Sequence, residues 1–289
     1  MINIEQIKKI AIVGLGLIGG SFAKTIQKHT HYQVFAYDRD ASVLKQALQD
    51  HVIDGVLNDT ELSQFDLVIV CLYPEATIDY INRNALLFKK NAIIIDVCGA
   101  KEYICNHVFD AMSKSPAHFL GAHPMAGREV SGYEASLETL FDDASFIFTP
   151  LPDTPADVVQ TMLDFSSRLH FARTQTASPD EHDRIIAFTS QMPHIISNAY
   201  VKSSASDQYM GFAAGSFEDL SRVAKLNEEM WASLFLFNQP HLQEELDTLI
   251  QHLQEYQNAL LHLDRDRLKE LLKDGRIKKE YLTQILRNK

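Results

Sequence analysis

Four side chains in the second half of the chain could carry acid–base or anion-binding chemistry: His123, His194, Arg222 and Trp231. His123 stands in G-A-H-P-M-A-G, just past a predicted strand end. A histidine there can act as a general base near neutral pH, or serve as a loop residue satisfied by backbone. His194 closes S-Q-M-P-H, in a helix kinked or started by Pro193. Arg222 lies among apolar neighbours in S-F-E-D-L-S-R-V-A, where its guanidinium fork suits a carboxylate or simply lies on the surface. Trp231, the one tryptophan, reads as a core or interface aromatic or as a substrate contact. Arg222 and Trp231 are nine residues apart and would point to opposite faces of one straight helix. Either the helix breaks at Asn227, a good N-cap, or the two residues serve different sites or subunits.

A second set of residues sits at the other end of the chain. Gly14-Leu15-Gly16-Leu17-Ile18-Gly19 is a G-x-G-x-x-G between a strand-like K-I-A-I-V and a helix rich in small residues. Gly14 permits the tight turn, Gly16 lets the backbone approach a pyrophosphate, and Gly19 lets helix and strand pack closely. Leu17 and Ile18 open the helix whose N-terminus faces the phosphates. Asp38 follows nineteen residues after Gly19, at the end of the second strand. A carboxylate there accepts from the adenosine ribose and repels a 2′-phosphate, which favours NAD over NADP. Arg39 beside it could hold a 2′-phosphate or lie over the adenine. Leu72 and Pro74, past an apolar strand, complete the expected cofactor pocket.

The elements that must position these groups are legible in the hydrophobic pattern. Predicted strands are Lys9–Val13, Gln33–Tyr37, Asp66–Leu72, Ala92–Val97, Phe119–Ala122 and Ser145–Thr149. L-V-I-V-C-L and A-I-I-I-D-V are nearly continuous apolar runs, the signature of strands buried on both faces. Strands alternating with helices predict an α/β fold, a Rossmann-type, doubly wound, mostly parallel sheet. One more helix (Ala156–Leu169) and strand (His170–Thr174) follow a proline-rich stretch, so the domain boundary falls near Ser178–Asp180, where S-P-D starts a helix. The expected division is a dinucleotide-binding domain over residues 1–178 and an all-α helical domain over 179–289. Leu242, Leu246, Leu249, Leu253, Tyr256, Leu260 and Leu263 form a heptad seam, equally suited to an intrachain bundle and a dimer interface. Gly275 is expected to end the following helix.

Composition narrows the function classes. The formal net charge of −11 speaks against nucleic acid or an anionic membrane as partner. The three cysteines are odd in number and form no C-x-x-C pair, so a reducing, cytoplasmic setting without a metal site is expected. Lys8 and Lys9 before an apolar stretch imitate a signal peptide, but four glycines inside it and no cleavage region after it argue otherwise. No run reaches the roughly eighteen apolar residues of a membrane-spanning helix.

Taken together, the ordered motifs resemble the prephenate/arogenate dehydrogenase family up to about Phe237. They are G-L-G-L-I-G-G-S (14–21), D-V-C-G-A-K (96–101), H-P-M-A-G-R-E-V-S-G (123–132), L-F-D-D-A-S-F-I-F-T-P (140–150), E-H-D-R (181–184), S-Q-M-P-H (190–194) and S-F-E-D-L-S-R-V-A with its tryptophan. The resemblance implies oxidative decarboxylation of prephenate to 4-hydroxyphenylpyruvate with reduction of NAD, in a homodimer formed through the helical domain. It implies that His123 takes the ring hydroxyl proton, that Arg222 holds a substrate carboxylate, and that His194 is the second active-site histidine. It also implies that Trp231 reaches the partner subunit's site. Gly99 stands where the family commonly has a serine bonded to the catalytic histidine, so water, backbone or another group must orient His123. Glu218 stands where a basic residue is common, and an acid there would suit the ammonium of arogenate.

The resemblance includes no N-terminal chorismate mutase segment, and a C-terminal regulatory ACT domain would need about eighty further residues. Any feedback by tyrosine would then have to act at the active site. The rivals are a β-hydroxyacid or imine-reductase type of dehydrogenase, which leans on a lysine in the helical domain, and a non-enzymatic dinucleotide-binding regulator. The first fits H-P-M-A-G and S-Q-M-P-H poorly, and the second has no need of His123, His194 and Arg222 together.

Overall fold

The computed structural model describes residues 3–208 and 211–287. Its elements run β1 (Lys9–Val13), α1 (Leu17–His29), β2 (Gln33–Tyr37), α2 (Ala41–Gln49), β3 (Gly55–Val56), β4 (Leu67–Val70), α3 (Pro74–Asn84), β5 (Ile93–Asp96) and α4 (Glu102–Met112). There follow β6 (His118–Pro124), β7 (Ser145–Thr149), α5 (Ala156–Arg168), β8 (Arg173–Thr176), α6 (Pro179–Ile186), α7 (Met192–Tyr200), α8 (Gly215–Ser221) and α9 (Glu228–Phe237). The last two helices are α10 (Gln239–Leu261) and α11 (Arg265–Arg287). The chain divides into two compact units, residues 1–239 and 240–289.

The eight strands form one sheet in the order β3-β2-β1-β4-β5-β6-β7-β8. All pairs are parallel except β6–β7. Period-two alternation splits the central strands between two cores. Ile10, Ile12, Leu67, Ile69, Ile93 and Ile95 enter one apolar cluster, and Ala11, Val13, Val68, Val70 and Ile94 enter the other. Helices cover both faces, which is why these strands read as unbroken apolar runs. The strand order reverses direction between β1 and β4, and the glycine loop opens at that switch point, where ligands of such sheets bind.

Several sequence expectations shift. The strand expected at Phe119–Ala122 extends to Pro124, so His123 lies inside it, paired opposite Ile147 of the antiparallel β7. The strand expected at His170–Thr174 is instead Arg173–Thr176, because His170 turns the chain with φ 63° after α5. The two-residue β3 had no sequence signal; it joins the edge because Gly55 leaves room for the Phe35 ring, which a Cβ would approach to 2.7 Å.

In the second unit, Gly275 does not end a helix, since α11 runs through it. A lone glycine costs a helix only about 1 kcal/mol, and the helix formers around it carry that. The break comes earlier, where Leu263 takes φ 53° and Asp264 Oδ1 accepts the Arg267 amide at 2.9 Å. Leu263 therefore falls outside α10, and the far part of the seam is bare: Leu253 is 57% and Leu260 60% exposed. Among the described residues, no helix is long and apolar enough to cross a membrane.

Candidate active site

His123 is half-buried, and among the described residues its side-chain hydrogen-bond partner is His182, whose Nε2 lies 2.9 Å from His123 Nδ1. The two rings meet edge to face. His182 Nδ1 in turn lies 2.7 Å from Asp183 Oδ1. Ser178 caps α6 by accepting the Glu181 amide, and Pro179 opens the helix, so this first turn delivers His182 and Asp183 beneath His123. Asp183 also accepts the Lys101 amide at 2.8 Å and the Glu102 amide at 2.9 Å, which pins α6 to the start of α4. Behind it the fully buried Lys101 ammonium pairs with Asp96 and donates to the Ala122 carbonyl at 2.7 Å. A buried lysine needs such partners.

These surroundings favour the neutral form of both histidines. Burial, then the neighbouring His182 and the Lys101 ammonium, hold His123 well below the usual histidine range. Burial also lowers His182, against the opposing pull of the Asp183 carboxylate. The absent side chain at Gly99 leaves room, not strain. A Cβ there would lie 3.5 Å from a Leu234 methyl and 3.8 Å from His123 Cε1, ordinary contact distances. His182 is thus the group that meets His123 where the sequence left its partner open.

The other candidates form two further clusters. His194 Nδ1 donates to the Ser190 carbonyl at 2.8 Å, and its ring packs at a tilt of 31° against Trp231 of the same chain, centroids 4.0 Å apart. A π-helical segment at Ala187–Gln191 precedes Pro193, where the missing N–H would interrupt a regular ladder. Trp231 sits on α9, capped by Asn227 Oδ1 accepting the Met230 amide, so the helix does break between Arg222 and Trp231. Arg222 Nη1 meets Glu129 Oε1 at 2.9 Å, on the loop six residues past His123. Glu218 is exposed on α8. Among the described residues, no hydrogen bond or ring contact joins His123 directly to His194 or Arg222.

The dinucleotide candidates are assembled as a cradle. Gly14 takes φ 93°, and a Cβ on it would lie 2.6 Å from the Cys71 carbonyl oxygen and 3.0 Å from Leu72 Cδ2. Gly16 is the N-cap of α1, supplies no side-chain acceptor, and has open space where a Cβ would project. The amides of Leu17 and Ile18 are therefore left for an anion. Asp38 Oδ2 accepts the Leu15 amide at 2.8 Å, which ties the acid at the end of β2 to the glycine loop. Arg39 is exposed, and Pro74 opens α3. Sequence reasoning assigned no role to Asp96, Lys101, His182 or Asp183. An acid and a lysine five residues apart after a buried strand, and the adjacent pair in E-H-D-R, were the signals available.

Comparison with known proteins agrees with this layout. The family model described as prephenate dehydrogenase, nucleotide-binding domain, matches residues 22–170, and that described as prephenate dehydrogenase, dimerization domain, matches residues 178–274. The chain is 32% identical over 279 residues to a cyclohexadienyl dehydrogenase of Zymomonas mobilis, covering 93% of this chain and 94% of the relative. It is 29% identical over 279 residues to a prephenate dehydrogenase of Lactococcus lactis, covering 93% of this chain and 76% of that one. A crystal structure of A. aeolicus prephenate dehydrogenase, in complex with hydroxyphenyl propionate and NAD+, matches with a TM-score of 0.84 at 24% identity. That match covers 96% of this chain and 99% of the other and bears on the fold.

Proposed function

The chain belongs to the prephenate dehydrogenase family, and from that premise we propose that it converts prephenate to 4-hydroxyphenylpyruvate and carbon dioxide while reducing NAD, a step of tyrosine biosynthesis. The observation that carries the reading is a histidine, His123, held by a buried side-chain network on a strand of the sheet whose switch point carries the glycine cradle. The open position at Gly16 and the uncapped first turn of α1 fit a pyrophosphate, and Asp38, held by the Leu15 amide, fits a ribose hydroxyl and disfavours a 2′-phosphate. NAD, when bound, supplies a hydride acceptor.

The remaining work falls to the chain. His123 takes the proton from the ring hydroxyl as the hydride leaves the same carbon, the hydroxyl oxygen becoming a ketone oxygen. The bond from the ring to its carboxylate then breaks, carbon dioxide departs, and the electron pair moves through the ring onto the former ketone oxygen, which takes the proton back from His123 as the ring becomes aromatic. Arg222 holds a substrate carboxylate. Its pair with Glu129 is no obstacle, since exposed ion pairs of this kind contribute about 0–1 kcal/mol and both partners are largely solvent-accessible. His194, packed against Trp231, lines the substrate side chain's end of the pocket. Residues 1–178 act as the dinucleotide-binding part and 179–289 as the helical part, through which two copies form a homodimer. The description of the second family model and the bare apolar residues of α10 support that assembly. Three free cysteines support a cytoplasmic setting.

A second reading, use of arogenate as well, is favoured by the relative named cyclohexadienyl dehydrogenase and by Glu218, an exposed acid on the helix that leads into Arg222, which suits an ammonium. A spectrophotometric matrix of prephenate and arogenate against NAD and NADP tests both. NADH formation with prephenate is expected, and no signal with either substrate, from protein that binds NAD, overturns the proposal.

The state of His123 also predicts the pH profile. Its lowered pKa keeps it an unprotonated base at neutrality, and activity disappears only as pH falls through that depressed value. The groups facing it are His182, with Asp183 behind, and Lys101, with Asp96 behind. The acid limb of kcat/KM is expected below pH 6.5. A limb at pH 7 or above contradicts the assignment.

A further inference from the structure

The proton that His123 takes can enter only at a ring nitrogen with a free lone pair, and the structure decides which nitrogen that is. A hydrogen bond between two imidazole nitrogens requires one of them to carry the hydrogen. His123 Nδ1 and His182 Nε2 share such a bond at 2.9 Å. The choice is made at the far end of the chain of contacts. Asp183 uses both oxygens to accept backbone amides, Oδ1 from Lys101 and Oδ2 from Glu102. It is an acceptor throughout, so its third contact, at 2.7 Å, is donated by His182 Nδ1–H. A neutral His182 with its hydrogen on Nδ1 has a bare Nε2, which can only accept.

From this chain of contacts we infer that His182 and Asp183 are positioning residues that hold His123 with its hydrogen on Nδ1, making Nε2 the atom that receives the substrate's proton. This deepens the reaction proposed above and rests on it for the identity of the substrate. His182 and Asp183 are 2% and 1% exposed, so water does not compete for these bonds. Gly99 offers no side-chain donor or acceptor to the ring. The arrangement is braced from behind. Asn238 Nδ2 donates to the Asp183 carbonyl and to Gln191 Oε1, both at 2.8 Å, and Gln191 Nε2 donates to the Leu234 carbonyl at 3.1 Å.

The step balances without any change at His182. The substrate O–H bond breaks, an N–H bond forms at His123 Nε2, and His123 becomes an imidazolium. Its Nδ1–H still donates to His182 Nε2, and that bond strengthens with the new charge. Asp183, two bonds away, provides the opposite charge. His182 and Asp183 touch neither substrate nor cofactor in this account and act only through His123.

The test uses the full-length protein with His182→Ala and His182→Gln. A glutamine can present its amide oxygen near the position of the imidazole Nε2, so it keeps an acceptor for His123 Nδ1–H. The alanine variant is expected to lower kcat about ten- to a hundredfold, as loss of a ligand-orienting partner does. Its KM values and its thermal midpoint should change little beside that loss. The glutamine variant should recover most of the rate. Full activity in the alanine variant, or no difference between two folded variants, overturns the inference. A second readout needs no turnover. Nitrogen-15 spectra of histidine-labelled protein, with the His123 signals assigned by their loss in His123→Asn, should show hydrogen on Nδ1 in the parent and a mixture of tautomers in His182→Ala. Hydrogen on Nε2 in the parent refutes the inference. If neither prephenate nor arogenate is oxidised, the proposed reaction fails while the spectra still decide the tautomer.

Discussion

His123→Asn is expected to lower kcat by about three orders of magnitude, within the range that a positioned general base contributes. The affinity for NADH should stay within about twofold, because the side chain lies on β6 and its hydrogen bond goes to His182 rather than to the glycine loop. Asparagine is the informative replacement. Its amide keeps a hydrogen-bonding group near the position of Nδ1, facing His182, but has no group that can accept a proton at neutral pH. Steady-state rates and an NADH fluorescence titration of the same preparation separate the two quantities. A variant that keeps the parent's rate shows that His123 is a structural histidine. A variant that loses NADH binding in parallel shows that the site has been disordered rather than disarmed.

Gly19→Ala is expected to damage both fold and cofactor binding, whereas Gly16→Ala should damage binding alone. A Cβ at Gly19 would lie 1.8 Å from the Gly14 carbonyl oxygen and 3.1 Å from Cys71 Cβ. Two of the atoms that meet there belong to backbone and to a packed strand end, so the helix must back away from the loop. Overpacking of this kind costs about 1–3 kcal/mol, and backbone collisions fall at the upper end. For a domain this size, that corresponds to several degrees of thermal midpoint. Dinucleotide affinity should fall about a hundredfold, near 2.7 kcal/mol at roughly 1.36 kcal/mol per decade. At Gly16 a Cβ meets nothing within 4 Å, and the residue's φ of −71° suits alanine. Its methyl projects only into the space a pyrophosphate would fill. The expected result is an unchanged melting curve with weakened NADH binding. Equal affinity in Gly16→Ala and the parent would mean that the dinucleotide does not lie over this residue.

The dinucleotide half was readable because its determinants are local. The turn at Gly14, the open approach at Gly16 and the acid at Asp38 all lie within twenty-five residues of one another, and strand burial leaves an unbroken apolar pattern. Strand ends were less readable where a single residue takes positive φ, as at His170, or where pairing with a neighbour extends a strand, as at His123. Gly275 misled for a related reason: glycine permits a helix end but does not require one.

The catalytic half divided differently. Sequence alone determined which residue types were available, His123, His194, Arg222 and Trp231, and it marked Gly99 as a position that could not support its histidine. Only the tertiary structure decided who does. His182 lies 59 residues from His123 along the chain, and Lys101 meets Asp183 across 82. Separations of that size carry no periodicity, because a hydrogen bond between distant segments depends on how the sheet orders its strands and where α6 docks, and neither is written in the spacing of the residues that meet.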